Sequence, residues 1–216
     1  MGYIIPRTIA LFAVACWAFA GTAFGDETCN SPYISKLIKG QEDYVYVWTL
    51  GVEGLGDGSD KLVTIDADPK SKSYGKVLHT VSTGARVEAH HMGFTDDRRH
   101  IWAGGLSDNR IWVFDVGADP AKPKLVQTIA DLGEKSGYLG PHTYYALPGR
   151  MLVQALSNTK DKGGRTGMAL YNNNGQFIAS YAMPTEGGGV DSHLKCNRSR
   201  VRTSARVLKF RHFLGV

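Results

Sequence analysis

Ala89-His90-His91-Met92-Gly93-Phe94 is echoed 51 residues later by Pro141-His142-Thr143-Tyr144-Tyr145. Other matches fall at nearly the same distance. Leu106-Ser107 returns as Leu156-Ser157, and Leu62-Val63-Thr64-Ile65-Asp66-Ala67 returns as Ile111-Trp112-Val113-Phe114-Asp115-Val116. The last two runs each continue into Asp-Pro, at Asp68-Pro69 and Asp119-Pro120. Short alternating strands repeated with a period of about 50 residues are the pattern of β-propeller blades. Histidines at one phase of consecutive blades would meet near the central axis. A metal site there is the leading expectation.

Working outward from the histidines, the repeat beginning at His90 is the cleanest. Strands are predicted over 90–94, 100–106, 110–116 and 124–129, with polar or proline-bearing turns between them. The next repeat follows the same plan over 142–147, 151–156, 166–172 and 176–183. Its 158–165 turn is longer by about six residues, an ordinary hairpin insertion. The preceding repeat offers strands over 44–50, 61–66 and 77–81, after a lead-in with one helical turn around 34–38. The expected fold is therefore all-β, with about three blades of four antiparallel strands. A β-sandwich with regular strands is the alternative, and it does not readily produce phase-matched repeats. The 26 glycines fit an all-β chain rich in turns.

The first 25 residues read differently. Arg7 supplies a positive start, 8–19 is an apolar stretch short of a membrane span, and Ala23-Phe24-Gly25 offers a small-x-small cleavage site. Residues 1–25 are expected to be a secretory signal peptide, leaving no membrane span after cleavage and a periplasmic protein. Cys16 lacks a lipobox, since Ala13 stands where leucine is wanted. Cys29 and Cys196 remain in the mature chain, in a compartment where they could pair, but two cysteines do not make a disulfide scaffold.

The net charge of +5 is unevenly placed. Seven of the 25 basic residues lie beyond Gly189, against one acidic residue there, Asp191. The rest carries 18 basic and 19 acidic residues, so the basicity belongs to the tail and implies no nucleic-acid partner. The partial propeller is expected over 26–189. From 190 to 216 alternation and repeat both stop, and a disordered, divergent basic tail, such as a frameshift produces, is expected.

His90, His91 and His142 are the candidate metal ligands. Neutral imidazole suits Cu, Zn, Fe or Ni. Adjacent strand residues point to opposite faces, so His90 and His91 can share one metal only if the backbone bends. Glu88 is either a partner that orients an imidazole or a surface carboxylate. Tyr144 and Tyr145 either line a channel or, as expected of aromatics in a blade, fill the core, and Trp48, Trp102 and Trp112 are expected to pack the blades. His79, His100, His193 and His212 show no such placement. No phosphate loop is present: Glu186-Gly187-Gly188-Gly189 lacks the Gly-Lys-Ser/Thr ending. No nucleophile triad or helical zinc motif was found, and no catalytic residue is assigned.

Several long motifs, in order, resemble the selenium-binding protein/methanethiol oxidase family. They are Lys61-Leu-Val-Thr-Ile-Asp-Ala-Asp-Pro-Lys-Ser-Lys-Ser-Tyr74, Glu88-Ala-His-His91, Asn109-Arg-Ile-Trp-Val-Phe-Asp-Val-Gly-Ala-Asp-Pro120, Pro123-Lys-Leu125 and Pro141-His-Thr143. The exported start and the histidine motifs look most like the bacterial methanethiol oxidase branch. The resemblance implies a seven-bladed propeller and copper held by His90, His91 and His142. It also implies oxidation of methanethiol by O₂ and water to formaldehyde, hydrogen sulfide and hydrogen peroxide. The alternative it leaves is a non-catalytic selenium-binding or scaffold propeller. Animal members carry a selenium-associated cysteine in the first strand, but residues 44–50 contain none, so selenium binding by that route is not expected. Family chains are longer. The resemblance therefore implies an amino-terminal part of the propeller, of weak or no activity as it stands.

Overall fold

The computed structural model describes residues 39–160 and 165–183, all within one unit spanning Cys29–Lys195. The expected signal peptide over 1–25, Cys29, the expected helical turn at 34–38, His193, Cys196, His212 and the tail from 190 lie outside the described residues. The rest forms three antiparallel sheets. The first holds β1 (Tyr44–Thr49), β2 (Lys61–Asp66) and β3 (Val77–Ser82) in the order β1-β2-β3. The second holds β4 (Ala89–Phe94), β5 (His100–Gly105), β6 (Arg110–Asp115) and β7 (Lys124–Ile129), in chain order. The third holds β8 (Tyr138–Leu147), β9 (Arg150–Asn158), β10 (Gly167–Asn172) and β11 (Phe177–Ala182), also in sequential neighbour order. Each sheet is a meander, as in a propeller blade. Phase matching makes β2, β6 and β10 equivalent strands, so the described part of the first sheet holds the three outer strands of its blade.

Side-chain alternation explains why the sheets stack face to face. In β5, Ile101 and Ala103 point one way and Trp102 the other. In β6, Trp112 and Phe114 point one way and Ile111 and Val113 the other. One set joins Leu62, Val116 and the partly buried Tyr46 and Trp48 in a core between the first two sheets. The other set joins Tyr144, Met151, Val153, Ala169 and Tyr171 in a core between the second and third. A strand buried on both faces reads as a continuous apolar run, and Ile111-Trp112-Val113-Phe114 is that run. Of the aromatic residues expected in the core, Tyr144, Trp48, Trp102 and Trp112 pack there, and Tyr145 is only half-buried on β8. Trp102 and Trp112 are fully buried, and Trp48 lies 5.7 Å from Trp112 between ring centroids.

Two differences from the sequence expectation matter to the site. A five-residue helix, α1 (Leu132–Ser136), stands between β7 and β8. It buries Leu132 and ends at Gly137, whose left-handed φ of 76° and N–H bond to the Gly133 carbonyl terminate it. Five residues are too few to show a helical period, so this helix has no signal in the sequence. The helix delivers the chain into β8 at Tyr138, so His142 lies within its strand and does not open it. Among the described residues no helix is long and apolar enough to cross a membrane.

Candidate metal centre

Two β-bulges bring the three histidines together. On β4, Ala89 pairs with Gly105 and Met92 with Ala103, so His90 and His91 together oppose one residue, Gly104. On β8, Pro141 pairs with Ala155 and Thr143 with Gln154, leaving His142 as the extra residue. A bulge bends the strand and re-aims its side chains. This resolves the alternation that would otherwise send His90 and His91 to opposite faces. Each bulge follows a residue in the left-handed region, Glu88 at φ 65° and Gly140 at φ 70°.

Close approach of β8 to β4 and β5 brings the two bulges into contact. A Cβ on Gly93 would stand 2.8 Å from the Tyr144 Cβ. A Cβ on Gly104 would stand 2.5 Å from the Tyr144 hydroxyl and 2.8 Å from the Pro141 carbonyl. Neither position tolerates a side chain in this packing, so the two glycines set the distance between the inner strands. Trp48 Nε1 donates to the Gly104 carbonyl at 3.0 Å and holds β5 from its other side.

The result is a compact cluster. One ligand nitrogen from each of His90, His91 and His142 lies within 4.8 Å of the other two. Ring centroids stand 4.6 Å apart for His90 and His91, 4.7 Å for His90 and His142, and 4.3 Å for His91 and His142. It is the only such group among the described residues. His142 is buried and His90 exposed, so the cluster opens to solvent on one side. Burial, and then the neighbouring His90, lower the His91 pKa and favour its neutral, ligating form. The Nδ1 of His142 and the Thr143 hydroxyl share a hydrogen bond of 2.9 Å. Three imidazoles with one open side are a donor set that suits copper or zinc.

The remaining candidates separate cleanly. Glu88 is exposed, and its contribution is its backbone conformation. Tyr144 is in the core, with its buried hydroxyl lacking a hydrogen-bond partner. His79 and His100 lie on β3 and β5, outside the cluster. Thr143, Gly93 and Gly104 are site-building residues that sequence reasoning missed. The one available signal was the Gly104-Gly105 pair inside a predicted strand, which marks close approach of another backbone.

Comparison with known proteins agrees with this architecture. The profile of the 56 kDa selenium-binding protein family matches residues 25–187. A methanethiol oxidase from a Hyphomicrobium species is 59% identical over 184 residues, covering 83% of this chain and 42% of the relative. A methanethiol oxidase from Ruegeria pomeroyi is 57% identical, covering 76% and 37%. Selenium-binding protein 2 of Arabidopsis thaliana is 30% identical, covering 68% and 33%. The chain thus spans less than half the length of these relatives. A crystal structure of a hypothetical selenium-binding protein from Sulfolobus tokodaii superposes with a TM-score of 0.60 at 24% identity, over 70% of this chain and 37% of that one. It supports the fold. With the family profile covering three quarters of the sequence in the region of all three sheets, the chain belongs to the 56 kDa selenium-binding protein family.

Proposed function

We propose that this chain carries the amino-terminal part of a copper-dependent methanethiol oxidase. The reaction converts methanethiol, O₂ and water to formaldehyde, hydrogen sulfide and hydrogen peroxide. The observation that carries the reading is the convergence of His90, His91 and His142 from two bulged strands. The 57–59% identity to two bacterial proteins named methanethiol oxidase supports methanethiol as the substrate.

His90, His91 and His142 would hold the copper. Bound copper would supply a thiophilic, redox-active centre, to which a small thiolate is a natural ligand. The protein's part is to hold neutral imidazoles in place and leave one side open. Desolvation favours the neutral form of His91, and Thr143 bonds the ring of His142 through Nδ1. Export to the periplasm by residues 1–25 belongs to the same proposal and rests on sequence alone. N-terminal sequencing of exported protein should then begin near Asp26.

The test is metal analysis of purified protein, with formaldehyde, sulfide and peroxide measured after addition of methanethiol. Stoichiometric copper and all three products are expected from the full-length form. A metal-free protein that consumes no thiol would instead favour the second reading, a non-catalytic selenium-binding propeller. The family's name and the 30% identity to a selenium-binding protein favour that reading. The absence of cysteine from β1 counts against selenium capture there.

A further inference from the structure

Each histidine strand is gripped from the preceding sheet, just before its bulge, by a side chain at one repeat position. Asp60 and Asn109 are 49 residues apart and immediately precede the equivalent strands β2 and β6. Asp60 is fully buried. Its Oδ1 accepts from the Gly51 N–H at 2.7 Å, and its Oδ2 accepts from the Val87 N–H at 3.0 Å. Val87 is followed by Glu88 in the left-handed region, then by Ala89 and the His90-His91 bulge. Asn109 does the same one sheet later. Its Oδ1 accepts from the Gly140 N–H at 2.9 Å. Gly140 is itself left-handed and leads through Pro141 into the His142 bulge.

The correspondence is functional geometry as well as packing. Both grips act on a backbone N–H two or three residues before a histidine. Both sit where the chain turns through positive φ, the step that sets the direction of the strand that follows. Both originate in a different sheet from the histidine they control. We propose that Asp60 and Asn109 are positioning residues of the histidine centre, each fixing its histidine strand across the boundary between sheets. This rests on the metal-site reading above. It adds that the site's precision is supplied by the sheet before each ligand strand.

Asn109→Gly isolates the effect. Glycine keeps the φ of 66° that Asn109 adopts and removes the side-chain amide, the Gly140 acceptor with it. Asn109→Asp keeps an acceptor and is the rescue variant. Asp60→Asn, which turns one of two acceptors into a donor, tests the other grip. If Asp60→Asn does not fold, Asn109→Gly still decides. Gly175→Ala serves as the stability control. Gly175 lies between β10 and β11 at φ 77°, a conformation that strains any L side chain, and its Cβ would meet only the flexible end of Gln127, so the variant destabilises without touching the histidine strands.

Two measurements are made on the whole chain. Nuclear Overhauser contacts between the His91 and His142 rings, 4.3 Å apart, are recorded without metal. Affinity for Cu(II) and Zn(II) is measured by titration. Asn109→Gly should lose the ring contacts and bind metal about tenfold more weakly, while Asn109→Asp and Gly175→Ala retain both. Wild-type contacts and affinity in Asn109→Gly would overturn the proposal. So would equal losses in Gly175→Ala, which would reduce the grips to general stability. A wild-type chain that binds no metal, yet loses its ring contacts in Asn109→Gly, would overturn the metal reading and leave the positioning role standing.

Discussion

Thr143 is a side chain bonded directly to a candidate ligand, and its hydroxyl helps to hold the His142 ring. The 2.9 Å bond occupies Nδ1 and fixes the ring about its own axis. Such partners are typically worth about 10- to 100-fold in metal affinity. Thr143→Val removes the hydroxyl at nearly constant shape. Its Cu(II) dissociation constant should rise within that range, and Thr143→Ser should recover most of the loss. Calorimetric titration checks both, and wild-type affinity in Thr143→Val would remove Thr143 from the site. Tyr144, the next residue, carries the opposite kind of hydroxyl. It is buried without a hydrogen-bond partner, which costs about 1–3 kcal/mol relative to a satisfied group. Tyr144→Phe should therefore leave thermal stability unchanged or raise it. Gly104→Ala should destabilise by about 1–3 kcal/mol, because its Cβ meets the Tyr144 hydroxyl and the Pro141 carbonyl. Adding Tyr144→Phe should recover part of that loss, because the nearer clash is with the hydroxyl. Melting temperatures of the two single variants and the double variant measure the coupling.

At the scale of the element, the bulges make the site, and they mark the boundary of what the sequence discloses. The strands themselves were legible. β2 alternates cleanly, β6 is an apolar run between turns, and the repeat phase aligns β2, β6 and β10. The candidate ligands were legible for the same reason, since His91 and His142 recur in phase. Their convergence was legible only as a requirement that the backbone bend, because His90-His91 contradicts strand alternation. Neither bulge has a sequence signature, and the residue that introduces the first one is a glutamate in a conformation better suited to glycine. A non-glycine residue in the left-handed region costs about 1–2 kcal/mol. Gly140 holds the corresponding place before His142 without that cost. Glu88→Gly should accordingly fold with stability within about 1 kcal/mol of wild type, the relief of strain offset by a more flexible unfolded chain. Its metal affinity should be preserved. Glu88→Val, branched at Cβ, should lose both stability and affinity. A Glu88→Gly variant unable to bind metal would show instead that the Glu88 carboxylate takes part in the site.

Across the whole molecule, the sheets are joined by two apolar cores and a few polar ties between distant residues. The cores follow from strand alternation and could be anticipated. Most of the ties could not, because they join residues of different repeats and, Asp60 and Asn109 apart, show no period. Arg98 and Glu42 are one such tie, linking the turn after β4 to the segment before β1. The guanidinium donates from both terminal nitrogens to the two carboxylate oxygens, each at 2.9 Å. That hydrogen bonding, opposed by partial burial and assisted by the charge of Arg98, holds the Glu42 pKa below the ordinary glutamate range. A depressed folded-state pKa means that the ionised form is favoured by folding. The stabilisation is fully present above the unfolded pKa of about 4.3 and is lost as pH falls through the lower folded value. Glu42 is nearly half exposed, so solvent screening limits the tie to at most about 1 kcal/mol. Glu42→Gln should thus lower the melting temperature by up to about 2–4 °C at pH 7. The gap should close as both proteins are taken down toward about pH 3, where the wild-type carboxyl is increasingly protonated. Arg98→Lys should retain only part of the effect, since an ammonium cannot reproduce the two-pronged contact. A gap between wild type and Glu42→Gln that stays constant from neutral to acid pH would mean that the pair does not join the first two sheets through charge.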